Sequence, residues 1–146
     1  MKLNDLYNIA DKEKIKIYDW YIENAYGCFI NIDKINAIAL NYTSIDNSYI
    51  EKETLAEELG HYYQDATYPI NCTDTILISK QEYRAKKYAR MILIPYENLK
   101  LAIKNGINTI YALADYFEVT IKYMSDTIEF YTNKYGFITE EKAFEI

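Results

Sequence analysis

The residues best suited to chemistry lie in Thr54–Tyr63, which reads Thr-Leu-Ala-Glu-Glu-Leu-Gly-His-Tyr-Tyr. This stretch differs at one position from H-E-x-x-H, a helical pattern in which two His bind a metal ion and the Glu activates its water. Glu58 stands at the position of that Glu and His61 at that of the second His, whereas Glu57 replaces the first His. The pattern indicates either a metal site with a carboxylate in place of one imidazole, or the remnant of such a site.

The ligands available to such a site are few. Side chains four residues apart share a helix face, so Glu57 and His61 can reach one ion, with Glu58 beside it. His61 is the only His of the chain. Cys28 and Cys72 lie far apart in the sequence, and cysteines placed in this way are more often buried apolar side chains than ligands. A metal site would therefore be rich in carboxylates.

A third ligand must come from another element, and Glu82 is the best candidate. Positions 82, 85, 86 and 89 share one face of a helix, where Ala85 and Ala89 are small enough for a second helix to approach closely. Gly60 costs about 1 kcal/mol inside a helix. Its presence in the pattern predicts that another element crosses closely at that point.

Three stretches together resemble the ImmA/IrrE family of metallopeptidases: Leu55-Ala-Glu-Glu-Leu-Gly-His61, Gln81-Glu-Tyr-Arg-Ala-Lys-Lys-Tyr-Ala89 and Ile92-Leu-Ile-Pro95. Members usually show H-E-L-G-H followed by E-x-x-A-x-x-F-A-x-x-L-L-x-P. The resemblance covers roughly residues 48–95. The segment 109–135 is similar to the helical segment that often follows in this family.

The resemblance implies a cytoplasmic, zinc-dependent endopeptidase that cleaves a helix-turn-helix repressor of a prophage, mobile element or stress operon. Carried over by position, Glu58 is the catalytic base, His61 and Glu82 are metal ligands, and the first ligand position falls on Glu57. The extra carboxylate adds negative charge and should make the bound water less acidic, which implies weaker activity and leaves manganese or iron open beside zinc. A tyrosine such as Tyr62, Tyr63 or Tyr83 is conceivable as the donor to the oxyanion.

Each of these assignments has a structural alternative. Glu57 could complete a capping box with Thr54 at a helix start, and His61 could be a packed His among tyrosines. Glu82 could pair with Lys86 one turn on, which would compete with a metal ion. The functional alternative is a catalytically inactive member that binds the same kind of regulator without cleaving it.

Composition sets the outer limits of function. The chain has 146 residues, half of them apolar, and a net charge of −6, which favours one folded domain over a disordered chain. Residues 112–124 are similar to a DNA-reading helix-turn-helix, but carboxylates outnumber lysines over residues 107–146. Such a surface would repel phosphates, so we expect packing or a platform for the protein substrate, and no direct nucleic acid contact. No signal peptide or membrane-spanning stretch is evident, which fits a cytoplasmic protein with reduced thiols.

The apolar patterns predict an α+β fold, in which a small, mostly antiparallel sheet packs on zincin-like active-site helices. The predicted strands are 15–22, 26–32 and 36–42. The predicted helices are 2–10, 48–65 (begun by a capping box at Ser48), 80–94, 96–106, 110–117 and 120–134. The expected domains are a metallopeptidase-like domain over 1–100 and a helical C-terminal subdomain over 101–146.

Overall fold

The computed structural model describes residues 1–136, so the last ten positions of the predicted C-terminal subdomain lie outside the described part. The chain forms α1 (Leu3–Lys12), β1 (Lys16–Asp19), β2 (Gly27–Ile32), β3 (Ile35–Leu40), α2 (Ser48–Tyr63), α3 (Thr75–Leu93), α4 (Tyr96–Lys104), α5 (Ile110–Phe117) and α6 (Ile121–Tyr135). The predicted α+β class is confirmed. Two compact units divide the chain, Met1–Ile92 and Leu93–Ile146.

The sheet of the first unit is mixed, whereas the sequence predicts mostly antiparallel pairing. Its strand order is β1-β3-β2, with β3 antiparallel to β2 and parallel to β1. The β2–β3 hairpin turns at Asp33 and Lys34, both left-handed (φ 51° and 66°), as a two-residue turn of this kind requires. β3 is the most buried strand, with Ala37 to Leu40 all buried, and therefore takes the central position between the other two.

The first strand is shorter than the predicted 15–22 because the chain leaves the sheet after Asp19. Asn41, buried just beyond β3, donates from Nδ2 to Ile22 O (2.9 Å) and Ala25 O (3.1 Å). These bonds satisfy carbonyl groups of the connection between β1 and β2 that no strand partners.

The two long helices of this unit begin differently from the prediction. α2 is capped by Asn47, whose side chain accepts from Ile50 N (3.0 Å), rather than by Ser48. α3 begins at Thr75 rather than residue 80, because Asp74 Oδ1 accepts from Ile76 N and Leu77 N and starts the helix there. Ile76 in this first turn is 80% exposed, whereas Leu77 and Ile78 are half-buried.

The second unit follows the predicted pattern closely. α5 begins at a Thr109 cap and α6 at a Thr120 cap, each accepting from a backbone N–H of the first turn. The left-handed Glu118 (φ 55°) turns the chain between them. Within this unit Tyr131 is buried and donates to Ile94 O at 2.6 Å. Over residues 1–136, no helix combines the length and apolarity needed to cross a membrane.

Candidate metal centre

The three predicted ligands come together where α2 and α3 meet. One ligand atom from each of Glu57, His61 and Glu82 lies within 4.8 Å of the other two. His61 Nε2 and Glu82 Oε2 are 3.5 Å apart. His61 is buried, while Glu57 and Glu82 are half-buried. Tertiary structure thus assembles residues that are up to 25 positions apart in the chain into one donor set.

The close crossing of the two helices explains the glycine of the motif. A methyl group added at Gly60 would lie 2.5 Å from Ala85 O and 3.0 Å from Ala85 Cα. The helices therefore meet backbone to backbone, with Ala85 and Ala89 buried in the contact. The close approach that Gly60, Ala85 and Ala89 predict is confirmed. It brings His61, next to Gly60, opposite Glu82, one turn before Ala85.

Two further bonds orient the ligands. His61 Nδ1 lies 2.6 Å from Ala66 O, so this nitrogen carries the proton and leaves Nε2 facing Glu82. Ala66 reaches that position because the chain reverses just after α2, through a left-handed Asp65 (φ 48°). Tyr68 Oη donates to Glu82 Oε1 at 2.5 Å. Ligands held in this way lose little freedom when they close on an ion.

The side chains of the donor set shift one another's pKa values. The hydrogen bond to His61 lowers the pKa of Glu82 to about 2, against the effect of burial. Burial alone would lower the pKa of His61, but the bonds to Glu82 and to Ala66 O raise it to about 9. Burial raises the pKa of Glu57, which the positive charge of Lys86 opposes. At neutral pH a proton on His61 therefore supplies positive charge to the carboxylates that a metal ion would otherwise neutralise.

Glu58 lies on the sheet side of α2. Only 7% of the residue is exposed, and its Cγ packs against Gly27, where an added methyl group would approach it to 3.3 Å. A backbone hydrogen bond from Phe29 favours the carboxylate, but burial dominates and raises the pKa of Glu58 to about 8. A carboxyl group that exchanges its proton near neutral pH suits general acid–base chemistry.

The structural alternatives for Glu57 and Glu82 find less support. α2 begins at Ser48, so Thr54 lies inside the helix and cannot start a capping box with Glu57. Within residues 1–136, no ion pair joins Lys86 to Glu82 within 4.0 Å. Lys86 is exposed, and its charge acts on both carboxylates from a greater distance.

The tyrosine at the site differs from those that the sequence suggests. Tyr62 and Tyr63 donate to the two carboxylate oxygens of Glu13 (2.8 and 3.2 Å), and Tyr83 is exposed. Tyr68, which contacts Glu82, lies in an irregular segment between the two helices. No periodicity marks such a position, and only the folded chain shows that it reaches the site.

The donor set fits a divalent ion. Zinc binds imidazole nitrogen and carboxylate oxygen at about 2.0–2.2 Å in a tetrahedron, which places ligand atoms ~3.4 Å apart. His61 and Glu82 already have this separation, and the 4.8 Å limit for the set leaves at most about 1.4 Å to close by side-chain rotation. Carboxylate ligands suit manganese and iron as well.

Residues 12–128 match the model of the Peptidase_M78 family, described as the IrrE N-terminal-like domain. The chain belongs to this family. The predicted ImmA/IrrE membership is thereby confirmed, and with it a metallopeptidase-type function. The metal dependence of M78 peptidases agrees with the Glu57–His61–Glu82 group. Comparisons with curated proteins and with solved structures gave no significant match.

Proposed function

We propose that this M78 protein is a zinc-dependent endopeptidase that hydrolyses a peptide bond in a helix-turn-helix repressor of a prophage, mobile element or stress operon. The observation that carries the catalytic part is the convergence of Glu57, His61 and Glu82 beside the buried Glu58. The class of substrate rests on the resemblance to ImmA/IrrE proteins. The net charge of −6 is consistent with it, because an acidic chain is unsuited to binding DNA itself.

Three of the four side chains would bind the metal ion, and the fourth would transfer protons. A bound ion would polarise the scissile carbonyl and lower the pKa of a water molecule. Glu57, His61 and Glu82 would hold the ion, with Tyr68 and Ala66 O fixing the orientation of Glu82 and His61. Glu58 would accept the proton of the attacking water and pass it to the leaving amine as the C–N bond breaks.

The second carboxylate changes the electrostatics of the site. Glu57 and Glu82 together neutralise both charges of a divalent ion, whereas two His and one Glu would leave one positive charge. The water in this site should therefore be less acidic than in members with H-E-x-x-H. We expect slower hydrolysis near neutral pH and tolerance of manganese or iron in place of zinc.

The test combines metal analysis with cleavage. Protein purified without chelator should contain about one divalent ion per chain, and the repressor encoded next to its gene should be cut. Glu58→Gln should keep the metal and lose cleavage by at least about a hundredfold, because the base is gone. Glu57→His, which restores the common motif, should increase the rate. Protein that resists zinc loading, or cleavage that survives Glu58→Gln, would contradict the proposal.

A second candidate function is regulator binding without cleavage. The His61–Glu82 pair at 3.5 Å favours it, because an ion pair can hold the two side chains together without a metal. Equal binding of the intact repressor by wild type and Glu58→Gln, with zinc supplied and no product formed, would support this reading over the first.

A further inference from the structure

The sheet of the first unit has one face against helices and one face open. α2 packs on Gly27 and Phe29: a methyl group at Gly27 would meet Thr54 and Glu58, and the Phe29 ring contacts Tyr62. Alternate residues of a strand point to opposite faces, so the other residues of β2 point away from α2. We call this side the outer face and define it by Tyr18, Trp20, Tyr26, Ile30, Ile32 and Ile35.

The strand register joins these residues into one surface. Tyr18 and Cys28 flank Ala39 of β3, and Ile32 is directly opposite Ile35. The ladder extends one step further through Trp20 N to Leu40 O (3.1 Å) and Asn41 N to Tyr26 O (2.7 Å). These bonds bring Trp20 and Tyr26 to the same side as Tyr18. The outer face therefore runs from the Ile32–Ile35 end of the hairpin to Trp20.

Five of the six side chains that define this face are exposed to solvent, and Ile30 is half-buried. Ile35, Trp20 and Ile32 are 69%, 68% and 63% exposed, and Tyr18 and Tyr26 are 49% and 46% exposed. Strands that are apolar on both faces are typical of sheets covered on both faces. β3 has this character, since Ala37 and Ala39 face outward and Ile38 and Leu40 face the helices. The sequence of the central strand thus predicts that a second layer of protein covers the outer face of the sheet.

The size of the face matches one half of a stable interface. Tyr and Trp side chains offer roughly 150–250 Å² each, so the exposed parts of Tyr18, Trp20 and Tyr26 amount to roughly 250–400 Å². Ile32 and Ile35 add roughly 150 Å² on the same basis. A standard interface buries about 800 Å² per partner, of which about 60% is non-polar. That share, roughly 500 Å², is what the outer face provides.

Charge points to the identity of the partner. The chain carries a net charge of −6, so two copies repel each other over most of their surfaces. In the described strands, Lys16 is the only charged residue that points to the outer side, and no carboxylate does. A second copy can therefore approach here without bringing carboxylates together. Tyr and Trp in place of charged residues are also what interface cores contain.

We propose that the outer face is a dimer interface, on which a second copy of this chain packs sheet against sheet about a two-fold axis. Each sheet then supplies the covering layer that the other lacks, in the aligned arrangement of two-layer sandwiches. Glu57, His61 and Glu82 are not among the residues that define the outer face. The dimer proposal therefore does not depend on whether the protein is an active peptidase.

Trp20 makes the interface directly measurable, because it is the only Trp of the chain. In a dilution series of the full chain, sedimentation velocity should show a dimer that dissociates to a monomer. Trp20 emission, excited selectively over tyrosine, should shift to longer wavelength along the same dilution curve. Ile35→Lys should weaken the dimer by at least about a hundredfold, since the two-fold axis brings in two desolvated charges. Ile76→Lys, on α3 and at least as exposed as Ile35, is the matched control and should leave dimerisation unchanged.

Three results would overturn the proposal. One is a monomer at every concentration with Trp20 emission typical of exposed indole. Another is a dimer that Ile35→Lys does not weaken, which would place the contact elsewhere. The third is a monomer whose Trp20 emits at short wavelength, which would mean that the chain covers its own outer face.

Discussion

Replacing Gly60 by Ala should destabilise the first unit, although it should stabilise an isolated helix. Ala exceeds Gly in helix propensity by about 1 kcal/mol. In the folded protein, however, the new methyl group would lie 2.5 Å from Ala85 O, roughly 1 Å inside normal contact. Overpacking of this kind costs about 1–3 kcal/mol, and a clash with backbone atoms belongs at the upper end of that range. After the gain of about 1 kcal/mol in helix propensity, we expect a net loss of about 2 kcal/mol in the free energy of unfolding.

The same substitution should also change the geometry of the metal site. Relief of the contact requires α3 to move about 1 Å away from α2, which carries Glu82 away from Glu57 and His61. Metal–ligand distances tolerate only about 0.2 Å. We therefore expect zinc affinity to fall by at least about tenfold.

Urea denaturation in the presence of a chelator measures the stability term alone, and competition with a fluorescent chelator measures the affinity. Ser79→Ala, at an exposed position of α3, should change stability by less than about 0.5 kcal/mol. Adding Ala85→Gly to Gly60→Ala should not restore stability, because the three nearest atoms of Ala85 belong to its backbone. A Gly60→Ala protein as stable as wild type would refute the reasoning.

Three other predictions follow from single contacts. Tyr68→Phe removes the hydrogen bond to Glu82 Oε1 and should lower zinc affinity about tenfold in a competition titration, with an unchanged far-UV spectrum; unchanged affinity would show that Glu82 needs no such support. In chelator, the free energy of unfolding should fall by on the order of 2 kcal/mol between pH 6.5 and 9. The reason is that the folded-state pKa of His61, about 9, lies above its unfolded value, so the stability that His61 contributes is complete below pH 6.5 and is lost as pH rises through 9. Burial raises the pKa of Glu58 to about 8, which acts in the same direction. A free energy of unfolding that stays constant over this pH range would contradict both shifts. Asn41→Ala removes two hydrogen bonds that the Asn41 amide donates to part-buried carbonyl groups and should cost about 2–3 kcal/mol in urea denaturation. A cost below about 0.5 kcal/mol would mean that water replaces the amide.

Sequence alone determines the parts of this protein that depend on local spacing. The positions of Glu57, Glu58 and His61 on one helix follow from their separations, since a helix fixes which side chains share a face. The bounds of α5 follow from a run of apolar residues that ends at Phe117, before Glu118. Gly60 and Ala85 also predict a close helix crossing, because a glycine that destabilises a helix needs a packing reason.

Tertiary structure decides what depends on partners distant in the chain. β3 lies between β1 and β2 because the most buried strand takes the centre of the sheet, a comparison that no single strand's pattern contains. Tyr68 reaches Glu82 from an irregular segment whose path is set by the packing of two helices. The pKa of Glu58 rises because the β-strand at Gly27 and Phe29 closes over it. Helix periodicity determines which faces of α2 carry Glu57, Glu58 and His61. Only the packing between elements determines how far these side chains are exposed to water, which charge they carry and that Glu82 is the third ligand.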